Sequence, residues 1–528
     1  MKQKIVLHIL ILFAFTYAKN NFTQELPIGM TAEEETRIDE IYSMGRDTDP
    51  PPIPIRNIAE YERMQGVLIR YPFGISTDII AEISESEKIF CLVSSNLQNS
   101  AITSMENGDV NMENVELVIG ATDSYWTRDY GPWWVVDGDR NVSIVDFTYN
   151  RPRPNDNDAP LKISNHLDVP YYASDIVHTG GNYMTDGMGT AASTDIVYEE
   201  NTIPDEDVLS KMEEYYGINT YHVLEDPNNT YIDHIDCWGK YLSPTKVLIR
   251  EVPDTHPQYS AIEETAEYFS SSLNEWGEPW ELHRVWTPGN QPYTNSLIIN
   301  KKVLIPVTGG SWDDEALEVY ENALPGYEIL GFSGTWESTD ALHCRIKGIP
   351  DLNMLQIFHN PLNNGTEPAN DGYLIEAMVD NLSSSGLIVD SMKVFWKESE
   401  SINWLSHHLY QSDSSDNSNI WMGNMPALSD TGIIQYFIQA ADSSGRIETS
   451  PMAGWHSFIA APTEACLAWS IGDLDNSGDL NILDILLLSD MISSSASGIC
   501  PESISDINND GSVSVMDIVF LVNIILNL

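Results

Sequence analysis

Val67-Leu68-Ile69-Arg70-Tyr71 is a β-branched, aromatic-containing run; helical spacing follows from Ser76 to Ser86, and Ile89 to Ser94 is strand-like again. Short apolar runs between turn residues read as buried strands, and apolar positions spaced by a helical turn read as one helix face. Strand, helix, strand in this order points to an α/β domain. The same texture recurs outward from it. Leu117–Ile119, Trp133–Val136, Ile144–Phe147, Lys246–Arg250, Ser296–Ile299 and Val303–Pro306 read as strands, and Glu206–Tyr216 and Tyr259–Glu275 as amphipathic stretches. The α/β domain is expected over residues 56–350.

Its flanks differ in texture. Met1-Lys2-Gln3-Lys4, an apolar run from Ile5 to Phe15 and Thr16-Tyr17-Ala18 form a basic start, a short apolar core and a small final residue. That is the pattern of an export signal over residues 1–18, too short for a comfortable membrane span. Residues 19–55 are acidic and end in Asp49-Pro50-Pro51-Pro52-Ile53-Pro54, which reads as an extended lead-in outside the core. From 351 to 462 the helical spacing disappears. Gly372–Val379, Met392–Trp396, Ile433–Ala441 and Trp455–Ile459 read as short strands between Ser/Asn/Asp/Gly turns, which suggests an immunoglobulin-like β-sandwich.

The 528 residues carry Lys+Arg 26 against Asp+Glu 79, a formal net charge of −53. A phosphate-tracking nucleic-acid binder needs a basic surface, so that class is excluded, and an anionic membrane surface would repel the chain. At 42% hydrophobic and 10% aromatic, the chain is not globally disordered. Of five cysteines, an odd number for an exported protein, Cys466 and Cys500 could pair with each other, and at least one thiol is left free.

Four constellations carry chemistry. Cys344 sits in Thr339-Asp340-Ala341-Leu342-His343-Cys344-Arg345; a nucleophilic thiol needs a cation or helix terminus to become a thiolate. Asp233-His234-Ile235-Asp236-Cys237, read as extended, puts His234 and Asp236 on one face, suited to proton transfer and to holding a cation, with Cys237 facing the core. Tyr125-Trp126-Thr127-Arg128-Asp129-Tyr130-Gly131-Pro132-Trp133-Trp134 surrounds a carboxylate with aromatics, a setting that favours a planar cation. Thr179-Gly180-Gly181-Asn182 reads as a tight turn after a strand. Taken singly, each is equally a structural feature.

Together and in this order, with Tyr293-Thr294-Asn295-Ser296 between the last two, they resemble the guanidine-modifying superfamily, whose fold is the five-bladed α/β propeller called the pentein. The nearest resemblance is to the bacterial, Porphyromonas-type peptidylarginine deiminases, whose other branch is the agmatine deiminases. The resemblance implies Cys344 as nucleophile, Asp129 and Asp236 as the carboxylates gripping a guanidinium, His234 as general acid and base, and Asn295 as the residue orienting the site. It also implies no cofactor or metal for catalysis. In Phe147-Thr148-Tyr149-Asn150-Arg151-Pro152-Arg153, the matching segment of the secreted deiminases implies that Arg151 and Arg153 read the carboxylate of a C-terminal arginine. Trp126 and Tyr231 are expected to wall the arginine stem. The expected reaction turns peptidyl-arginine into citrulline and ammonia. Agmatine or free arginine is the alternative substrate, and a non-catalytic surface or scaffold protein the alternative of another class.

Residues 466–528 hold an internal repeat. Asp473, Asp475, Ser477, Asp479 and Asp484 align with Asp506, Asn508, Asp510, Ser512 and Asp517, with Gly478 matching Gly511. Oxygen ligands at this spacing with a glycine at the sharp turn are what a Ca²⁺ loop requires. Two loops in register, each closed by Asp and followed by an apolar helix, resemble the dockerin family. That resemblance implies two Ca²⁺ ions and a cohesin-like or cell-surface partner.

Overall fold

The structure, a computed structural model, describes residues 25–366, 368, 372–412, 419–428, 431–460, 471–474, 477–478, 480–494, 502–505, 507–508 and 513–526. The expected export signal, Cys466, Cys500, and the loop residues Asp475, Asp479, Asp506, Asp510 and Ser512 lie outside the described residues.

Within residues 56–350 one pattern occurs five times: a short strand, an antiparallel partner, a helix, and a strand parallel to that partner. The first unit is Trp133–Val136, Val142–Tyr149, Ala159–Leu167 and Tyr171–His178. The second is Met184–Thr185, Thr190–Thr194, Asp205–Tyr216 and Thr220–Leu224. Gly239–Ser243, Lys246–Glu251, Tyr259–Ser271 and Glu281–Trp286 form the third. Leu297–Ile299, Lys302–Val307, Asp313–Ala323 and Glu328–Ser333 form the fourth. The fifth joins the two ends of the domain: Lys347–Pro350 pairs antiparallel with Met64–Arg70, which continues through Thr77–Ser84 to the parallel strand Lys88–Val93. No strand pairing among the described residues links one sheet to the next, so hydrogen bonding alone does not close the expected propeller.

The local causes are ordinary. Val142–Tyr149 is buried along its whole length, as a strand covered on both faces must be. Ile79, Ile80 and Ile83 of Thr77–Ser84 are fully buried at helical spacing. Asp205, Glu206 and Asp207 occupy the first turn of Asp205–Tyr216, where the helix dipole favours negative charge, and Gly217 ends it at φ +67°.

Residues 355–460 form two antiparallel sheets around one shared core, in which Tyr373, Ile375 and Ala377 face Ile434, Tyr436 and Ile438 at alternate positions. Ion pairs join this sandwich to the α/β domain, Arg63 to Glu448 (2.7 Å) and Arg140 to Asp380 (2.7 Å), and Arg446 pairs with Asp351 in the connection between them (3.0 Å). In the C-terminal repeat, helices Ile482–Ser494 and Val515–Leu526 share a small core through Leu488 and Leu521. Gly478 stands at φ +83°, the conformation its loop position requires.

The lead-in differs from its expectation. Glu34–Arg37 and Asp39–Met44 form short helical turns, and Ile28, Glu34 and Ile41 are buried. The proline cluster forms no helix or strand, Pro51 is buried, and Pro52 O accepts from the Gly138 N–H. The residues before it are not a free lead-in, because they pack onto the α/β domain.

Candidate active site

The five short strands that open the units share a second property. Each is entered from a turn, and these turns carry the site. Asp129 precedes Trp133–Val136, Gly180–Asn182 precedes Met184–Thr185, and Ile235–Cys237 precedes Gly239–Ser243. Asn295 precedes Leu297–Ile299, and His343–Arg345 precedes Lys347–Pro350. Residues far apart in sequence are thereby gathered at one end of five sheets.

Hydrogen bonds tie the turns together. The Arg128 N–H donates to Cys344 O (3.2 Å), and the Asn295 side chain accepts from the His343 N–H (3.0 Å). Asn295 Nδ2 lies 3.2 Å from Cys344 Sγ, and the Asp236 Oδ2 is 3.7 Å from the same sulfur. Gly180 and Gly181 permit the closest approach. A Cβ on Gly180 would stand 2.1 Å from Arg128 O; one on Gly181 would stand 2.5 Å from His234 Nδ1 and 2.6 Å from Asp129 Oδ1.

All five expected catalytic residues are therefore brought together, and all are buried: Cys344 0%, His234 0%, Asp129 1%, Asn295 1% and Asp236 3% exposed. Both oxygens of Asp129 and both ring nitrogens of His234 are buried without a hydrogen-bond partner, and Asp129 Oδ1 is 3.7 Å from His234 Nδ1. Such atoms are costly unless a ligand supplies partners. Burial, followed by the charge of Asp236, pushes the Asp129 carboxyl well above its ordinary range. Burial, then Asp236 and Asp129, pushes the Cys344 thiol up as well. Burial takes His234 down to about 4, so its imidazole is neutral near neutral pH. The site is an arrangement in want of a cation. A guanidinium would supply N–H donors to Asp129 and a positive charge to the thiol.

Asp236 has a different environment. Its segment is a single tight helical turn, Ile235–Cys237, in place of the extended run expected. Its Oδ2 bonds His343 Nδ1 at 2.7 Å, while Oδ1 lies 3.7 Å from Cys237 Sγ, so Cys237 borders the site as well as the core. Burial opposes its charge, yet the hydrogen bond and charge of His343 hold Asp236 below its ordinary value.

Part of the aromatic cluster faces a cation of the protein's own. The Arg345 guanidinium lies 5.4 Å from the Tyr125 ring centre and 5.7 Å from Trp126, with Trp336, outside the cluster, at 5.0 Å. Asp340 holds that guanidinium at 2.7 and 2.8 Å. Arg128 pairs with Glu60 at 2.7 Å and not with Asp129.

The four expected substrate-binding residues all meet the N-terminal segment. Trp126 Nε1 donates to Leu26 O (3.0 Å), and Arg151 Nε to Ile28 O (3.1 Å). Arg153 donates to Pro27 O (2.8 Å), Gly29 O (2.9 Å) and Glu34 (2.7 Å). Gly29 lies against the ring of Tyr231, which is otherwise exposed.

Of the expected calcium ligands, Asp473, Ser477, Asp484, Asn508 and Asp517 are described. All are oxygen donors, the chemistry a hard cation takes. Asp473 accepts from the N–H groups of Ser477 and Gly478, Asp484 from Leu474 and Asn481, and Asp517 from Asn508 and Ser514. Among the described residues no three His, Cys, Asp or Glu side chains converge as a metal site, and no helix is long and apolar enough to cross a membrane.

With the geometry in place, the comparisons identify the domain. The family model described as Porphyromonas-type peptidyl-arginine deiminase matches residues 60–350, more than half the chain. The chain belongs to that family. The domain is thus a deiminase domain, of the class that hydrolyses guanidino C–N bonds. An agmatine deiminase of Medicago truncatula is 24% identical over 330 residues, covering 51% of this chain and 86% of its own. The solved agmatine deiminase of Enterococcus faecalis shares the fold at a TM-score of 0.52 and 18% identity, over 58% of this chain and 99% of its own.

The deiminase domain also holds a buried charge network that motif reading passed over. Glu60 accepts from His343 Nε2 (2.6 Å), Lys240 (3.0 Å) and the Ile298 N–H (2.9 Å), and forms an ion pair with Arg128 (2.7 Å). Burial works against its charge, but His343, Lys240 and Arg128 hold it well below the ordinary carboxylate range. Through His343, Glu60 fixes the orientation of Asp236. The signal for His343 was its place beside Cys344; Glu60, in the loop before Met64–Arg70, carried none.

Proposed function

We propose that this protein hydrolyses the guanidinium of peptidyl-arginine, C-terminal arginine by preference, to citrulline and ammonia. The observation that carries the reading is the buried, unpartnered Asp129 carboxylate beside an unpartnered His234 and the Cys344 thiol. Asp129 and Asp236 grip the N–H fork of the substrate and hold its central carbon near the sulfur. The arriving cation offsets the negative surroundings that keep Cys344 protonated. The thiol proton passes to neutral His234, and the thiolate attacks the central carbon. His234 returns that proton to the departing nitrogen, which leaves as ammonia, and a thiouronium remains on Cys344. His234 then takes a proton from water. The hydroxide adds, the C–S bond breaks with its electron pair on sulfur, the added O–H gives up its proton to solvent as the ureido group departs, and His234 returns its proton to the Cys344 thiolate.

Arg151 and Arg153 support the peptide reading, because an amine-terminated guanidine such as agmatine has no carboxylate for them. Agmatine is the second reading, favoured by the name of the Medicago relative. The five repeated units support a five-bladed propeller, and the antiparallel sandwich an immunoglobulin-like module. The N-terminal pattern supports export. The paired loops support two Ca²⁺ ions and attachment through a cohesin-like or cell-surface partner. A citrulline assay with an arginine-terminated peptide, an internal-arginine peptide and agmatine tests the substrate. Preference for the first supports the reading; preference for agmatine replaces it with the second.

A further inference from the structure

Four consecutive carbonyls, Leu26 to Gly29, accept hydrogen bonds from Trp126, Arg153 and Arg151, and Gly29 rests on Tyr231. These are the four side chains that the peptide reading assigns to substrate. Glu34 adds a carboxylate on Arg153, and Arg70 pairs with Glu25 at the segment's start. What the substrate residues hold is thus a stretch of peptide main chain plus one carboxylate, and the chain supplies it in cis.

Two further observations separate this from an ordinary tether. Cys344, His234 and Asp129 are sealed from solvent, so no peptide reaches them in this arrangement. The strap also leaves a partner incompletely satisfied, because Arg153 Nη1 is buried with no acceptor, and deeper in the site, away from the strap, both oxygens of Asp129 are buried with no donor. Its hold is narrow: in residues 25–37 only Ile28, Gly29 and Glu34 are buried.

We propose that residues 25–37 are an intramolecular peptide ligand of the substrate cleft, which keeps it closed until an arginine-bearing peptide takes over the same main-chain and carboxylate contacts. The inference rests on the deiminase reading for the identity of that peptide. A tethered ligand acts at high effective concentration, so only the fraction of molecules with the strap displaced is competent.

The test uses the full chain with a protease recognition sequence inserted between exposed Asp49 and Pro50. Two rates are read before and after cutting and washing: iodoacetamide alkylation of Cys344, followed by mass spectrometry, and citrulline release from an arginine-terminated peptide. Both are expected to rise about tenfold or more, and a synthetic peptide of residues 25–37 is expected to lower them again. Unchanged rates in a cut chain that does turn over the peptide overturn the inference and leave the deiminase reading standing. Faster alkylation with no turnover of any guanidine supports the strap and removes the deiminase reading. If the cut chain does not stay folded, Glu34→Ala in the uncut chain decides. It leaves Arg153 buried without its carboxylate only in the closed form, so faster alkylation supports the inference and unchanged or slower alkylation overturns it.

Discussion

Asp129 is the residue on which stability and function pull apart. Its folded carboxyl is raised well above the ordinary 3.8, by burial first and then by Asp236. Between the ordinary and the folded value the unfolded carboxyl has given up a proton that the folded one keeps, and above the folded value the native state holds a buried charge; in both ranges Asp129 destabilises the ligand-free protein relative to acid pH. Below the ordinary value both states are neutral and the penalty is gone. Asp129→Asn is therefore expected to abolish turnover and to stabilise the free protein by about 1–3 kcal/mol at pH 8. The difference should shrink as pH falls toward 4, and denaturant melts at several pH values would show it. An equal or lower stability for the variant at pH 8 would count against a ligand-seeking carboxylate. Gly181→Ala tests the close approach. A methyl 2.5 Å from His234 Nδ1 must push the ring aside, and displacement at a reacting centre costs about a hundredfold in kcat/KM. These residues were legible in sequence because their motifs, taken together and in order, resemble those of the guanidine-modifying superfamily; taken singly, none of them was decisive. The aromatic cluster was not, because a count of rings does not say which cation they face, and Tyr125 and Trp126 face Arg345.

At the scale of elements, the deciding feature is that each unit's first strand is entered from a turn bearing part of the site. The alternation of strands and helices was readable in Met64–Val93, where the apolar runs are long. The repeat itself was hidden. Thr190–Thr194 is made of Thr, Ala and Ser, and Gly239–Ser243 mixes Gly, Lys and Tyr, so their burial comes from packing and not from apolar pattern. The loop carrying Glu60 was equally silent, since nothing local marks a carboxylate whose partners come from other units. Glu60→Gln removes a charge that holds His343, Arg128 and Lys240 together. Losing a buried charge-assisted contact of about 1.5–3 kcal/mol predicts roughly a ten- to hundredfold fall in kcat/KM, provided circular dichroism shows the fold retained. An unchanged kcat/KM would show that Asp236 is oriented without Glu60.

For the whole molecule, the charge of −53 is distributed by task. From Cys466 onward there is no Lys or Arg, and the loop acids of that region are reserved, in our reading, for calcium. Chelation is accordingly expected to raise proteolysis of residues 466–528 and to leave turnover unchanged, since no step above routes through a metal. Loss of turnover on chelation would place a metal in the reaction. In the proposed reaction two more acids, Asp129 and Asp236, hold one substrate cation, and the sandwich is joined to the deiminase domain by ion pairs at Arg63 and Arg140. In the same reaction Cys344, freed of its cover, converts peptidyl-arginine to citrulline. The measurement that decides it is citrulline formation from an arginine-terminated peptide by the uncut and the strap-cut chain, beside Cys344→Ala of each. One citrulline and one ammonia per arginine are expected, faster in the cut chain and absent in both Cys344→Ala proteins. Turnover that survives Cys344→Ala, or no turnover of any guanidine by a folded, cut chain, would contradict it.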